Sequence, residues 1–246
     1  VVLLDTPVSD EDAAPMPQGD ASVPIATVAA ATVSAPMPPI ITREQWGADE
    51  SARRGAPSYS GTIKAAFLHH TVTSNDYAPE QAMAQARNLY AWYTKGVRYS
   101  DMAYNFLGDR FGRIYEGRAG GVDRAVIGAH TAGFNQESFA VSAIGNFQKA
   151  GLPAEQMATV NESVAQLMAW KLSMHHRDPA GSTTLVSDSS SGTSKVKAGS
   201  TTTAAVISGH GDIGSTACPG VHLRPQVPVL RSLVASKMGV TTVNPS

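Results

Sequence analysis

The residues best equipped for chemistry gather around one stretch of the 246-residue chain, GHGDIGSTACPG (209–220). It holds the only cysteine, Cys218, eight residues after His210. A thiol and an imidazole at this separation admit three readings: Cys218 as a small buried apolar residue, as a thiolate nucleophile with His210 as its base, or as a metal ligand together with His210. A loop punctuated by Gly and Pro can fold back and bring the sulfur near the ring, so spacing alone leaves all three open. Of the seven histidines, His69 and His210 stand apart because each closes an expected strand, where side chains emerge into loops that can build a site. Two His and one Cys would leave the fourth tetrahedral position of Zn²⁺ to water or substrate. That is a catalytic stoichiometry, since structural zinc normally takes four protein ligands.

The elements that must position these residues follow from local pattern. Residues 64–69 (KAAFLH) read as a short buried strand, and 206–210 as another that ends on His210. Residues 79–95 repeat apolar side chains at Ala82, Ala86, Leu89, Tyr90 and Tyr93, a helical face with Pro at its start and Gly96 past its end. Short strands are expected at 104–107, 113–116, 125–127 and 139–144, and further helices at 153–174 and 225–237. The Ser/Thr/Gly-rich segment 183–203 reads as a surface insertion of low order. Strands mixed with about three helices predict an α/β fold with a single mixed central sheet covered by helices.

Composition narrows the function classes. Hydrophobic residues make up 42% and charged residues 16% of the chain, with no run of 18 apolar residues to span a membrane. The net charge of −1 argues against a nucleic-acid binder. Residues 1–40 carry five acids and no Lys or Arg, so the remainder holds 19 bases against 15 acids, a mildly basic body that suits an anionic surface. Residues 1–39, rich in Ala and Pro, read as an extended acidic leader or linker, 40–239 as the domain, and 240–246 as a tail. A lone cysteine excludes an intramolecular disulfide. A first residue of Val with no basic and apolar signal after it leads to the expectation of a processed, secreted protein.

Four blocks taken together, ITREQWGA (41–48), FLHHT (67–71), AYNFLGDRFGRIYEGR (103–118) and IGAHTAGFNQESFAVSAIGNF (127–147), followed by ISGHGDIGSTACPG (207–220), resemble the peptidoglycan recognition protein family. That family lies within the zinc-dependent type 2 N-acetylmuramoyl-L-alanine amidases, which include phage lysozyme-like amidases. The resemblance runs from about residue 40 to 233. It implies a five- or six-stranded mixed sheet with flanking helices and a substrate groove over one face. It also implies Zn²⁺ held by His69, His210 and Cys218, a catalytic tyrosine at Tyr104, and peptidoglycan or muropeptides as partner of a monomer. Thr216 falls where some phage members carry a catalytic lysine and many recognition proteins a threonine.

Each assignment has a plainer rival. Tyr104 alternates with Phe106 and would serve as a core aromatic. His130 would either line the groove or sit in a turn, and Asn105 and Arg118 would contact substrate or hold structure. His70, next to His69, should point to the other face of its strand, and His175 and His176 should serve a helix end. Some bacterial type 2 amidases place a glutamate base near the end of the strand that aligns with 139–144; the segment here, SFAVSAIGNF, has no carboxylate near Ile144. The resemblance therefore implies a tyrosine-type amidase that cuts the amide between the lactyl group of N-acetylmuramic acid and the first L-alanine of the stem peptide. The alternative is a receptor that binds peptidoglycan without cutting it.

Overall fold

A computed structural model describes residues 34–240. Most of the expected leader and the tail lie outside the described residues. The packed chain nevertheless starts before residue 40: Ala35 and Pro38 are buried, and the Ala35 N–H donates to Ser173 Oγ at 3.1 Å.

Six strands form one mixed sheet: β1 (Ile40–Ile41), β2 (Ala65–His70), β3 (Phe106–Gly108), β4 (Ile114–Glu116), β5 (Ser138–Ala143) and β8 (Ile207–Gly209), in spatial order β1-β4-β3-β5-β2-β8. Within this sheet, among the described residues, only β3 and β4 pair antiparallel. They are joined by a turn in which the buried Asp109 carboxylate accepts the Phe111 and Arg113 amides, an Arg113 guanidinium N–H at 2.6 Å and the Tyr115 hydroxyl at 2.6 Å. The single turn α1 (Arg43–Trp46), capped by Thr42, pins the sheet edge, because its Trp46 indole N–H donates to the Glu116 carbonyl at 2.7 Å. Helices α3 (Ala154–Ser173) and α5 (Gln226–Lys237) pack together over one face of the sheet, meeting Ala66, Leu68, Phe139 and Val141. Helix α2 (Ala82–Ala91), prolonged by a π turn through Gly96, covers the other face with Tyr90 and Tyr93 against Tyr104, Leu107 and Ala140. The central strands are thus buried on both faces, so AAFLHH reads as a continuous buried run rather than an alternation. The expected mixed α/β architecture is the one observed.

Two elements differ from expectation. Residues 125–127 make only a single bridge, Tyr59 to Val126, because the next amide, that of Ala129, is given to the Ala103 carbonyl instead of extending the ladder. Residues 183–203 are not a segment of low order. They belong to a hairpin, β6 (Ser182–Val186) with β7 (Thr201–Ala205), which pairs from Ser182↔Ala205 to Val186↔Thr201. Its one fully inward apolar residue, Leu185, packs with Phe67, Phe134 and Ile213. Threonine's branched Cβ suits a strand, but its hydroxyl makes such a strand look like loop composition.

Helix α3 also fixes the loop that follows β4. Lys171, 1% exposed, donates from Nζ to the carbonyls of Val122 and Arg124 at 3.0 and 2.9 Å. Burial pushes its pKa down to about 8. The native state then gives up this proton before the unfolded chain does, near pH about 10.4. Between those values the unfolded state binds more protons, so this group's contribution to stability rises with pH, by at most about 3 kcal/mol. Urea unfolding of the wild type at about pH 7.5 and about pH 9.5 should show this rise, and Lys171→Met should flatten it. An equal slope in the two proteins would show that Lys171 is not a depressed, buried ammonium.

Candidate metal centre

The site follows from strand register. Strands β2 and β8 are parallel neighbours with Leu68 opposite Gly209, so the next residues, His69 and His210, leave the carboxyl ends of adjacent strands at the same level. Their rings lie 4.5 Å apart. Within β2 the alternation sends His69 to the side of Phe67, while His70 turns to the opposite side, where its Nδ1 accepts the Phe147 amide at 3.1 Å.

After β8 the chain makes one helical turn, α4 (His210–Ile213), and folds back to Cys218. Gly211 makes this return possible. Its N–H donates to the Cys218 carbonyl at 2.7 Å, and a Cβ there would meet the Thr216 and Cys218 carbonyl oxygens at 2.7 and 2.8 Å. The Cys218 sulfur arrives 3.5 Å from His69 Nδ1, and the donor atoms of His69, His210 and Cys218 all lie within 4.8 Å of one another. In tetrahedral zinc sites, with bonds of about 2.0–2.3 Å, donors stand about 3.3–3.8 Å apart. The set is of the right chemistry and close to the right size.

The far nitrogens support the same reading. His69 Nε2 lies 3.2 Å from Thr131 Oγ1, and His210 Nε2 lies 3.2 Å from Thr193 Oγ1. Each ring therefore has a hydroxyl on Nε2, and on His69 it is Nδ1 that faces the thiol. Holding the second nitrogen in this way is how metal-binding imidazoles are oriented. Burial, then the neighbouring His210, His130 and His70, holds His69 well below the usual histidine range. Burial first, then His70 and Lys195, brings His210 down to about 4. Both rings are neutral at physiological pH, the state a metal requires.

The other expected site residues divide into two groups. Tyr104 is buried, with its ring 5.2 Å from that of His69 and edge-on to Tyr93 at 5.9 Å. Its hydroxyl donates to the His70 carbonyl at 3.4 Å, and burial followed by the nearby Cys218 holds it protonated well above the usual phenol range. Thr216 Oγ1 accepts the Cys218 amide at 3.2 Å, so it shapes the return loop. His130 is buried 5.6 Å from the His69 ring and shares Thr131 Oγ1 with it at 3.0 Å. Its Nε2 is buried with no hydrogen-bond partner among the described residues, and burial, then His210 and Arg118, takes its pKa down to about 3.

Arg118 and Asn105 are placed differently. Arg118 is half-buried and reaches the Met102 carbonyl at 3.1 Å and the Ser100 hydroxyl at 3.0 Å, bracing the 100–102 loop. Asn105, open in the sequence between substrate contact and structure, is tied to backbone. Its Nδ2 donates to the Val126 carbonyl at 2.8 Å and its Oδ1 accepts the Ala140 amide at 2.9 Å, so both ends are committed to backbone. His175 Nδ1 likewise takes the Ile63 amide at 3.3 Å rather than serving its own helix end. The sequence reading missed Thr131 and Thr193. Thr131 could have been found as the neighbour of His130, whereas nothing local marks Thr193.

Fold and donors define a class: a mixed α/β protein with a His/His/Cys donor cluster at the carboxyl ends of adjacent parallel strands. The chain belongs to the N-acetylmuramoyl-L-alanine amidase family known as Amidase_2, whose model matches residues 59–221. A peptidoglycan-recognition protein of Drosophila simulans is 29% identical over 184 residues, which is 75% of this chain and 82% of the relative. The structure of bumblebee PGRP-SA, 24% identical, matches with a TM-score of 0.58 over 78% of this chain and 94% of its own. Peptidoglycan recognition protein-LE in complex with tracheal cytotoxin, described as monomeric diaminopimelic acid-type peptidoglycan, is 24% identical, with a TM-score of 0.57 over 77% of this chain and 92% of its own. These likenesses show a peptidoglycan-recognition-protein fold. No helix among the described residues is long and apolar enough to cross a membrane.

Because Asn105 ties β5 to the 125–127 segment, Asn105→Leu should strand two buried backbone groups and lower the unfolding free energy by about 2–4 kcal/mol. Below its melting temperature the same variant should show whatever retention on peptidoglycan sacculi the wild type shows. A folded variant with less retention than the wild type would favour substrate contact by Asn105.

Proposed function

We propose that the protein is a zinc-dependent N-acetylmuramoyl-L-alanine amidase acting on bacterial peptidoglycan or its muropeptides outside the cell. The observation that carries this reading is the convergence of His69, His210 and Cys218 beside a protonated Tyr104. A zinc ion on these three donors would supply Lewis acidity to the scissile carbonyl and make water acidic enough to attack near neutral pH. In the hydrolysis, the water oxygen forms a bond to the lactyl carbonyl carbon, the carbon–nitrogen bond to L-alanine breaks, and the amine leaves with a proton.

The chain's own groups have separate tasks in this reading. His69 and His210 bring neutral donors and Cys218 brings an anionic one, while Thr131 and Thr193 hold the rings. Tyr104 keeps its proton and donates a hydrogen bond to the carbonyl oxygen as negative charge develops there. Thr216 sets the Cys218 loop, with a lesser part in steadying that oxygen. His130, beside the His69 ring, and Arg118, whose guanidinium also braces the 100–102 loop, are the groups this reading would assign to substrate contact, a guanidinium suiting the carboxylates of a stem peptide.

A second reading, a receptor that binds without cutting, is favoured by one observation: Tyr104 is only 5% exposed, with its hydroxyl turned to the His70 carbonyl. Purified sacculi separate the two. The amidase should release stem peptides with a free N-terminal L-alanine, identified by mass spectrometry. Release should stop on chelation and return with Zn²⁺. Tyr104→Phe should lower kcat about 10²–10³-fold with zinc content unchanged, the loss typical of one oxyanion donor. Binding to sacculi without release would establish the receptor, and chelator-insensitive cleavage would establish a Cys218 thiol enzyme.

A further inference from the structure

The β6–β7 hairpin reaches the metal centre at a place where the centre's own scaffold is weakest. His210 opens α4, which has only four residues, too few to hold a ring in place by helix formation alone. The hairpin's loop grips this turn at three points. Thr193 Oγ1 meets His210 Nε2 at 3.2 Å, the Ser215 amide donates to the Thr193 carbonyl at 2.7 Å, and Lys195 Nζ donates to the Gly211 carbonyl at 3.0 Å. Ser194 and Gly214 form an isolated antiparallel bridge between the same two segments. Gly214 leaves space for the ring, since a Cβ there would stand 3.0 Å from His210 Nε2.

We propose that this hairpin is a positioning element of the metal centre, and that Thr193 is the positioning residue that orients His210. The inference rests on the zinc reading above. A His210 that binds through Nδ1 carries its proton on Nε2, and Thr193 Oγ1 is the acceptor placed to receive it. The hydroxyl fixes both the tautomer and the rotation of the ring, as a carboxylate or carbonyl does behind other metal-bound imidazoles. Thr131 does the same for His69 from the loop before β5, but Thr193 does it from a hairpin outside the central sheet. The hairpin is in turn anchored by Leu185 on Phe67 and Phe134.

The test is zinc affinity of the metal-free full-length chain, measured by competition with a chromophoric chelator, together with the visible spectrum of the Co²⁺-loaded protein. Thr193→Val keeps the side chain's shape and should weaken zinc about 10–100-fold. It should also shift the Co²⁺ bands. Thr193→Ser restores the hydroxyl and should bind within about threefold of wild type, in keeping with rescue by a retained hydrogen bond. Thr184→Val, an exposed change on the same hairpin, should leave both readouts unchanged. Thr193→Ala repeats the test if the valine variant does not fold, with folding checked by the melting temperature of the metal-free protein. Unchanged zinc affinity in Thr193→Val, failure of the serine rescue, or an equal loss in Thr184→Val would each overturn the proposal. A wild type that binds no zinc would overturn the metal reading along with it, whereas tight wild-type binding with an indifferent Thr193 overturns only this inference.

Discussion

The convergence of His69, His210 and Cys218 depends on the in-register parallel pairing of β2 with β8. Leu68 opposite Gly209 brings His69 and His210 to one level at the carboxyl ends of two adjacent strands, the position at which open α/β sheets present their sites. A slip of one residue would bring Leu68 or His70 to the level of His210 and turn His69 to the opposite face of the sheet. Polarity cannot prevent that slip, because all six residues of β2 are buried. Shape does: Phe67 fills the small cluster with Phe134, Leu185 and Ile213, while Ala66 and Leu68 fit beneath α3 and α5. The hairpin that supplies Leu185 therefore acts on the site twice, through the register of β2 and through the ring of His210.

The second constraint is electrostatic. Two imidazoles and a thiol aimed at one small volume bring lone pairs together in a region from which water is largely removed, and an unsatisfied polar cluster there is costly. Burial responds by keeping the rings neutral. The groups behind the rings are hydroxyls, Thr131 and Thr193, not carboxylates. They fix orientation without adding negative charge, so the sulfur is the one donor of the three that becomes an anion on binding a cation. Such a shell would leave a zinc ion, if bound there as proposed, with net positive charge.

Legibility in the sequence followed the range of the interactions. The strand ends at His69 and His210 and the helices over 79–95, 153–174 and 225–237 were readable because periodicity and Gly/Pro punctuation are local. The mixed sheet followed from their mixture. The hairpin over 182–205 was not readable, because its strands are threonine-rich and a single leucine supplies its buried face. Asn105 stayed open between substrate contact and structure for a related reason: a polar residue in a motif next to a candidate tyrosine looks functional, and only the positions of Val126 and Ala140 show what its amide holds. Thr131 and Thr193 reach His69 and His210 across 62 and 17 residues of chain, distances over which spacing carries no signal.

The cost of the cluster bears on which activity the scaffold serves. A protein that only bound peptidoglycan in its groove would gain stability from apolar side chains at 69, 210 and 218, since these would pack without a convergence of donors and without hydroxyls recruited from distant loops. Here Gly211 is kept bare for the return of Cys218, and Gly214 leaves room for the His210 ring. A phenol is held protonated beside the sulfur. Each of these features gives up packing or conformational freedom, and this cost is what the proposed amidase would explain: in that reading the features would serve a cation and an oxygen that becomes negative near it. Such concessions in stability are ordinary at reaction centres, whereas a surface that only recognises its ligand would not require them.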